Sequence, residues 1–436
     1  MNYKFKKNIG LNFIFTILST FTTFILLRSL LKYFNYDQDS YGLWLMVFSI
    51  LSYIYLMDFG ISNGLRNIIT PLVNKNKEKM NIYVSCNYLL MILLTFILII
   101  IINLCLVYFP YSMMYKINGF KLDIKTFKTF LYLIVNLQIV LFLISSIKPV
   151  FHAFSKTYLI NLSQFLSNVL TITLIYISIS MHMNNSWFLL PIIYIGSQIL
   201  VTLILSIIII KKYKIKFKLV RDTNIYVELL KMGYKFLFLQ LSNLILFNTM
   251  TFLVGIYVSL EEASRYQVSY KLLSVYIMIF SIIMAPIWTL VINKKQENDF
   301  NGIKNVVKRL IKMIIYLTLP LLVTSLLLNK IIEVWMGKNF DIELLFSFEM
   351  CIYILLNIIC VVLQGLLNGL NIFKMQIIGY LTGAVFLLLS TLIANIYFKI
   401  SINLIVNLGI ISFLIPSIIM CLNLYSYIRK EMKNEE

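Results

Sequence analysis

Chemistry in this chain would have to come from the few ionisable side chains that fall inside long apolar runs. Asp58 and Arg66 stand eight residues apart in the stretch Met57-Asp-Phe-Gly-Ile-Ser-Asn-Gly-Leu-Arg-Asn67. On a helix that is about two turns, so both lie on roughly one face, too far apart for a direct pair between rigid side chains. A carboxylate there can hold a proton or a cation, and the cluster reads as a cytoplasmic gate or a proton site. Arg28 lies near the end of the first apolar run, and Lys271 stands just inside another, with Arg265 outside it. An ionised side chain at mid-bilayer costs about 2.5–3.5 kcal/mol on insertion scales, so such groups face a cavity or a partner. Arg28 and Lys271 at like depth would make a positive patch in the outer part of a central cleft. Plainer readings stay open: both cations can snorkel to an interface, and Asp58 can cap or pair with a neighbouring helix and only fix structure.

Polar amides recur at helical spacing. Gln240 and Asn243 share a face of one run, with Asn248 beyond them; Asn161, Gln164 and Asn168 share a face of another. Either set can line a cavity or bind neighbouring helices. Glu349 reads as an interface residue. The glycine pairs Gly60/Gly64, Gly365/Gly369 and Gly379/Gly383 are spaced for close helix packing, and Pro149, Pro191, Pro286, Pro320 and Pro416 can kink their helices. Collectively they give helices able to bend.

Several classes of chemistry lack their residues. The chain has no phosphate-cradling G-x-x-x-x-G-K-[ST] loop, no H-E-x-x-H and no G-x-S-x-G. The two histidines, His152 and His182, are too few and too far apart for a zinc centre. All five cysteines lie in or beside apolar runs without C-x-x-C spacing, as small hydrophobes do. The longest outer connection, 110–127, carries Asp123 as its sole acid. The expectation is a chain that is not an enzyme, with no catalytic residue, metal or cofactor.

The elements that must position these residues are membrane spans. Sixty per cent of the 436 residues are hydrophobic and 13% are charged, with a mean hydropathy of +0.87. Ordinary globular chains are about 45–50% apolar and about 25% charged, so a soluble fold is excluded. Twelve runs approach the ~20 residues a spanning helix needs: roughly 9–31, 41–66, 83–109, 128–150, 158–181, 188–210, 233–258, 266–291, 313–333, 344–367, 376–398 and 404–428. The first is too long for a signal peptide and reads as a permanent span.

The formal charge is +20. With both termini placed in the cytoplasm, 27 of the 38 Lys and Arg fall on inner connections, as the positive-inside rule requires. That bias explains the basic balance without nucleic acid, for which no basic–aromatic surface is present. The basic connection 211–232 divides the chain into two six-span lobes, 1–215 and 216–436. Both halves open alike, with Tyr3-Lys4-Phe5 and Tyr234-Lys235-Phe236. A parallel repeat of this kind is a transporter architecture with its site between the halves.

Tyr41-Gly-Leu-Trp through Asp58-Phe-Gly-Ile-Ser-Asn-Gly-Leu-Arg-Asn67 resembles the early segment of O-antigen (Wzx-type) polysaccharide flippases of the multidrug/oligosaccharidyl-lipid/polysaccharide (MOP) exporter superfamily. The resemblance implies an all-α polytopic fold of two six-helix bundles in a V. It implies a bacterial cytoplasmic (inner) membrane protein that moves an undecaprenyl-pyrophosphate-linked oligosaccharide between leaflets by alternating access. Arg66, on the matching motif, would meet the pyrophosphate, joined by Arg28 and Lys271 from the depth argument. Further implied partners are membrane lipid, a polysaccharide polymerase with chain-length machinery, and H+ or Na+ as coupling ion. A multidrug or cation exporter of the same superfamily would have an acidic cavity instead. A membrane polysaccharide polymerase or ligase would carry a large outer loop with essential Arg or His.

Overall fold

A computed structural model describes residues 3–435 apart from 155, 219–221, 338–339 and 371. Side chains of 3–7, 9, 74, 232, 234–236, 238–239, 242–243, 285–286, 289 and 433–435 lie outside the description, among them those of Asn243 and Pro286 and of the two Tyr-Lys-Phe openings. The protein is all-α and polytopic. Its helices are α1 (Tyr3–Tyr33), α2 (Gln38–Leu51), α3 (Ile61–Ile69), α4 (Leu72–Lys75), α5 (Lys77–Val107), α6 (Ile124–Ser145), α7 (Lys148–Ala153), α8 (Tyr158–Ser180) and α9 (Leu189–Tyr213). There follow α10 (Thr223–Asn248), α11 (Met250–Tyr257), α12 (Leu260–Gln296), α13 (Phe300–Leu326), α14 (Leu328–Met336), α15 (Leu344–Gly369), α16 (Lys374–Tyr397) and α17 (Ile402–Glu435). Several helix starts are marked by short polar side chains that accept the first free N–H groups. Asp37 accepts from Ser40 N at 3.3 Å, Asn76 from Lys79 N at 2.9 Å, Asp123 from Thr126 N at 3.0 Å and Ser259 from Glu262 N at 3.1 Å.

Among the described residues ten helical stretches are long and apolar enough to cross a bilayer, and α13 with α14 make an eleventh if counted as one span bent by 62°. The expected span 233–258 falls on α10 and α11, where several side chains are outside the description. Two expected runs differ in shape. The run 41–66 does not continue as one helix: it passes through a 3₁₀ stretch, Ser52–Asp58, and breaks at Phe59 (φ 51°) and Gly60 (φ 74°) before α3. The basic segment ahead of 313 is helical too, as the first half of α13.

The chain forms two compact units. The first comprises Met1–Tyr41, Ile50–Lys116 and Phe120–Gln240. In it α1 lies along α8 through a ladder of amides and hydroxyls. Asn161 Nδ2 donates to Asn12 Oδ1 (3.1 Å) and Thr16 Oγ1 (2.7 Å), and Asn168 Nδ2 donates to Thr22 Oγ1 (3.2 Å) and Thr23 Oγ1 (2.9 Å). Asn103 of α5 and Asn136 of α6 exchange two amide hydrogen bonds, each 3.0 Å. Such contacts matter in lipid, where apolar burial no longer drives helices together.

The second unit comprises Gly42–Ser49, Ile117–Gly119 and Leu241–Glu436. Aromatic rings pack together within it. Tyr266, Tyr353 and Phe413 are wholly buried and interlock with Tyr270, the Tyr353–Phe413 rings edge-on at 5.3 Å. Glycines let backbones touch. A Cβ at Gly379 would stand 3.1 Å from Pro416 Cα, one at Gly383 would strike the carbonyl of Ser412, and one at Gly369 would press on Val291. These contacts bring α16 onto α17 and α15 onto α12.

Candidate functional site

Both walls of the one cavity described in the first unit are interrupted helices. At Phe59–Gly60 the chain turns left-handed, a conformation glycine adopts without cost. Asp58, 5% exposed, holds that turn: one carboxylate oxygen accepts from Gly60 N (2.8 Å) and the other from Ser62 N (3.2 Å). The short helix α3 therefore starts on the carboxylate of Asp58, as an Asx turn does. Its next turns carry Ser62, Asn63 and Arg66. Gly233 of α10 presses on this turn from behind, where a Cβ would lie 2.8 Å from Phe59 O and 3.0 Å from Ile61 N. On the opposite wall α6 stops at Ser145, and α7 restarts at Lys148 with Pro149 in its first turn. Proline suits that position because its missing N–H would be unpaired there anyway. Lys148 and His152 are four residues apart and so share a face of α7.

The cavity holds about 200 Å³ and is lined by Tyr55, Asp58, Ser62, Arg66, Lys148 and His152, with Asn63, Met91, Phe142, Ser145, Ser146 and Pro149. Arg66 is exposed and Lys148 and His152 are half-buried. Among the described residues no carboxylate lies within 4.0 Å of Arg66 or Lys148. Lys148 Nζ sits over the Tyr55 ring, 5.4 Å from its centroid, and His152 Nδ1 has no hydrogen-bond partner. Among the described residues the cavity's one acid is thus spent on backbone N–H groups, while a guanidinium, an ammonium and an imidazole line it without a paired carboxylate. Non-helical backbone at membrane depth is tolerated where it lines a cavity or is buried in protein, and both breaks fit that rule. The arrangement can bind an anion with charge-assisted hydrogen bonds.

Of the residues singled out in the sequence, the structure brings Asp58 and Arg66 to this cavity. The two are not an ion pair. Arg28 lies exposed near the end of α1, and Lys271 lies half-buried on α12 in the second unit. Neither lines the cavity. Arg265 is neutralised by Glu261 (2.6 Å) and Glu262 (2.8 Å), whereas Lys271 has no such partner among the described residues. Gln240, on α10, has a buried amide oxygen without a hydrogen bond; the side chain of Asn243 is outside the description. Asn161 and Asn168 bind α1. The sequence reading missed Lys148 and His152 as site residues. A lysine, a proline and a histidine at the end of the run 128–150 were the available signal.

A sequence profile described as polysaccharide biosynthesis protein matches residues 37–343. No curated protein matches the chain. Among solved structures, an inward-facing multidrug resistance MATE family transporter of the MOP superfamily is similar over 95% of this chain and 96% of its own, with TM-score 0.78 and 13% identity. The lipid II flippase MurJ in an inward closed conformation is similar over 97% of this chain and 88% of its own (TM-score 0.70, 16% identity). A MOP superfamily transporter from Pyrococcus furiosus, described as having a binding pocket of reversed polarity, covers 98% and 97% (TM-score 0.64, 12% identity). At these identities the likeness establishes the fold.

Proposed function

The chain belongs to the polysaccharide biosynthesis protein family, and on that premise we propose that it is a flippase carrying an undecaprenyl-pyrophosphate-linked oligosaccharide, an O-antigen or capsule repeat unit, from the inner to the outer leaflet. The observation that carries this reading is the sign of the cavity. Arg66 and Lys148 face it without counter-charge, His152 stands beside them, and Asp58 is occupied. A drug or cation exporter needs the opposite sign. A pyrophosphate cannot enter hydrocarbon unaided, because its oxygens would lose water without new partners. The guanidinium of Arg66 and the ammonium of Lys148 supply those partners, and the oligosaccharide finds hydroxyls and amides in Ser62, Asn63 and Ser145. No bond is made or broken.

Arg28 and Lys271 belong to the proposal as further contacts for the same anionic headgroup, and Gln240 and Asn243 as polar lining. Asp58 serves as a gate element, since it fixes the turn from which Arg66 projects. Twelve spans with both termini in the cytoplasm of a bacterium place the basic connection 211–232 on the inner face. H+ or Na+ drives the cycle, and a polymerase with its chain-length machinery takes the product.

Replacing Arg66 or Lys148 by Ala removes a charged hydrogen bond worth about 1.5–3 kcal/mol, so surface polysaccharide falls by about 10-fold or more at unchanged protein level. If the single Ala variants at Arg28, Arg66, Lys148 and Lys271 all export normally, the cationic path is wrong.

A further inference from the structure

One side of α13 is a row of unpaired cations. Lys304, Lys308 and Lys312 follow one another at spacings of four, and Arg309 stands beside them; all four are exposed. Among the described residues none has a carboxylate within 4.0 Å. Neighbouring lysines are satisfied internally: Lys294 binds Asp299, and Lys295 Nζ donates to Leu370 O at 2.6 Å and lies over the Tyr427 ring. The opposite side of α13 is core, with Ile303, Leu310 and Leu321 at most 1% exposed.

The outward side then changes character within one turn. Past Lys312 it continues as Ile315, Tyr316 and Leu319, which are 63%, 75% and 68% exposed. Large apolar side chains so exposed on a spanning helix face acyl chains. The basic row directly adjoining them must therefore sit where acyl chains give way to headgroups. Unpaired cations at that level, aligned over about 12 Å of helix, meet a layer of phosphates. Four or more Lys and Arg on an amphipathic helix beside a span attract anionic lipid.

We propose that Lys304, Lys308, Arg309 and Lys312 form a docking surface for anionic phospholipid headgroups. The row is too long for a single pyrophosphate and suits several headgroups side by side. This surface is independent of what the protein transports.

The test uses the full chain in nanodiscs of zwitterionic lipid doped with phosphatidylglycerol, with bound phosphatidylglycerol counted by native mass spectrometry at rising salt. Each Lys or Arg removed should weaken retention roughly fivefold. Lys308→Gln alone shows that step, and the fourfold Gln variant loses retention altogether. A control variant with Lys121, Arg265, Lys294 and Lys295 changed to Gln, cations already bound within the protein, carries the same net charge and should retain lipid as the parent does. Equal loss in that control would overturn the proposal, as would unchanged retention in both α13 variants. Displacement of phosphatidylglycerol by stoichiometric undecaprenyl pyrophosphate would overturn it too, because the row would then be a substrate site.

Discussion

In the first unit two helices that head across the bilayer are interrupted, at Phe59–Gly60 and at Ser146–Ile147, and Arg66, Lys148 and His152 gather where they break. In the second unit α12 runs unbroken for 37 residues, and buried tyrosines fill the space beside it. The interrupted spans and the unbroken α12 meet the same constraint differently, and the second unit has breaks of its own, such as the 62° bend between α13 and α14. Within lipid a backbone group must find a partner in the protein or in trapped water. Unbroken helices satisfy it internally and leave side chains free to pack. Broken ones need help from a side chain, here Asp58, and in return expose turns on which polar groups can converge. The lesson is that the site sits where regular structure is given up.

The largest effect that would test this contrast is in the packed unit. Gly383→Leu drives a side chain into the carbonyl of Ser412, and overpacking of this kind costs about 1–3 kcal/mol. The thermal midpoint of the purified protein should fall by several degrees; an unchanged midpoint would mean that α16 and α17 are looser than their contacts indicate. Next comes Asp58. If it works by holding the turn, Asp58→Asn keeps an acceptor and exports normally, while Asp58→Ala loses about 0.5–2 kcal/mol of stability. Loss of export in the Asn variant, with folding intact, would instead make Asp58 a proton site. The smallest effect is Asn168→Ala in the α1–α8 ladder. Interhelical hydrogen bonds in membranes average about 0.6 kcal/mol, so its midpoint should shift by only a degree or two, measured beside Gly383→Leu.

The spans were legible because apolar runs of about 20 residues have few other uses. Gly60 reads as a place where the second run can bend or a neighbour approach, not as its break, and of the candidate site residues Asp58 and Arg66 fall beside one cavity. What stayed hidden was shape. Hydropathy averages over a run, so it carries 128–150 past Ser146 without registering that α6 ends and α7 begins. His152 was weighed only as a metal ligand; of its neighbours in the cavity, Lys148 stands one turn earlier on α7, but Arg66 comes from another segment of chain. The first half of α13 was invisible for the opposite reason: its lysines look like a loop until the buried Ile303 and Leu310 reveal a helical stripe.

The paired amides of Asn103 and Asn136 carry a mechanical consequence. Each gives and takes one bond, so the pair closes on itself like a key in its keyway. Shifting α5 past α6 by one residue, about 1.5 Å, would stretch both bonds together. At about 0.6 kcal/mol apiece, the two bonds pin those rods against sliding by about 1 kcal/mol, so one cross-link sets the register between them.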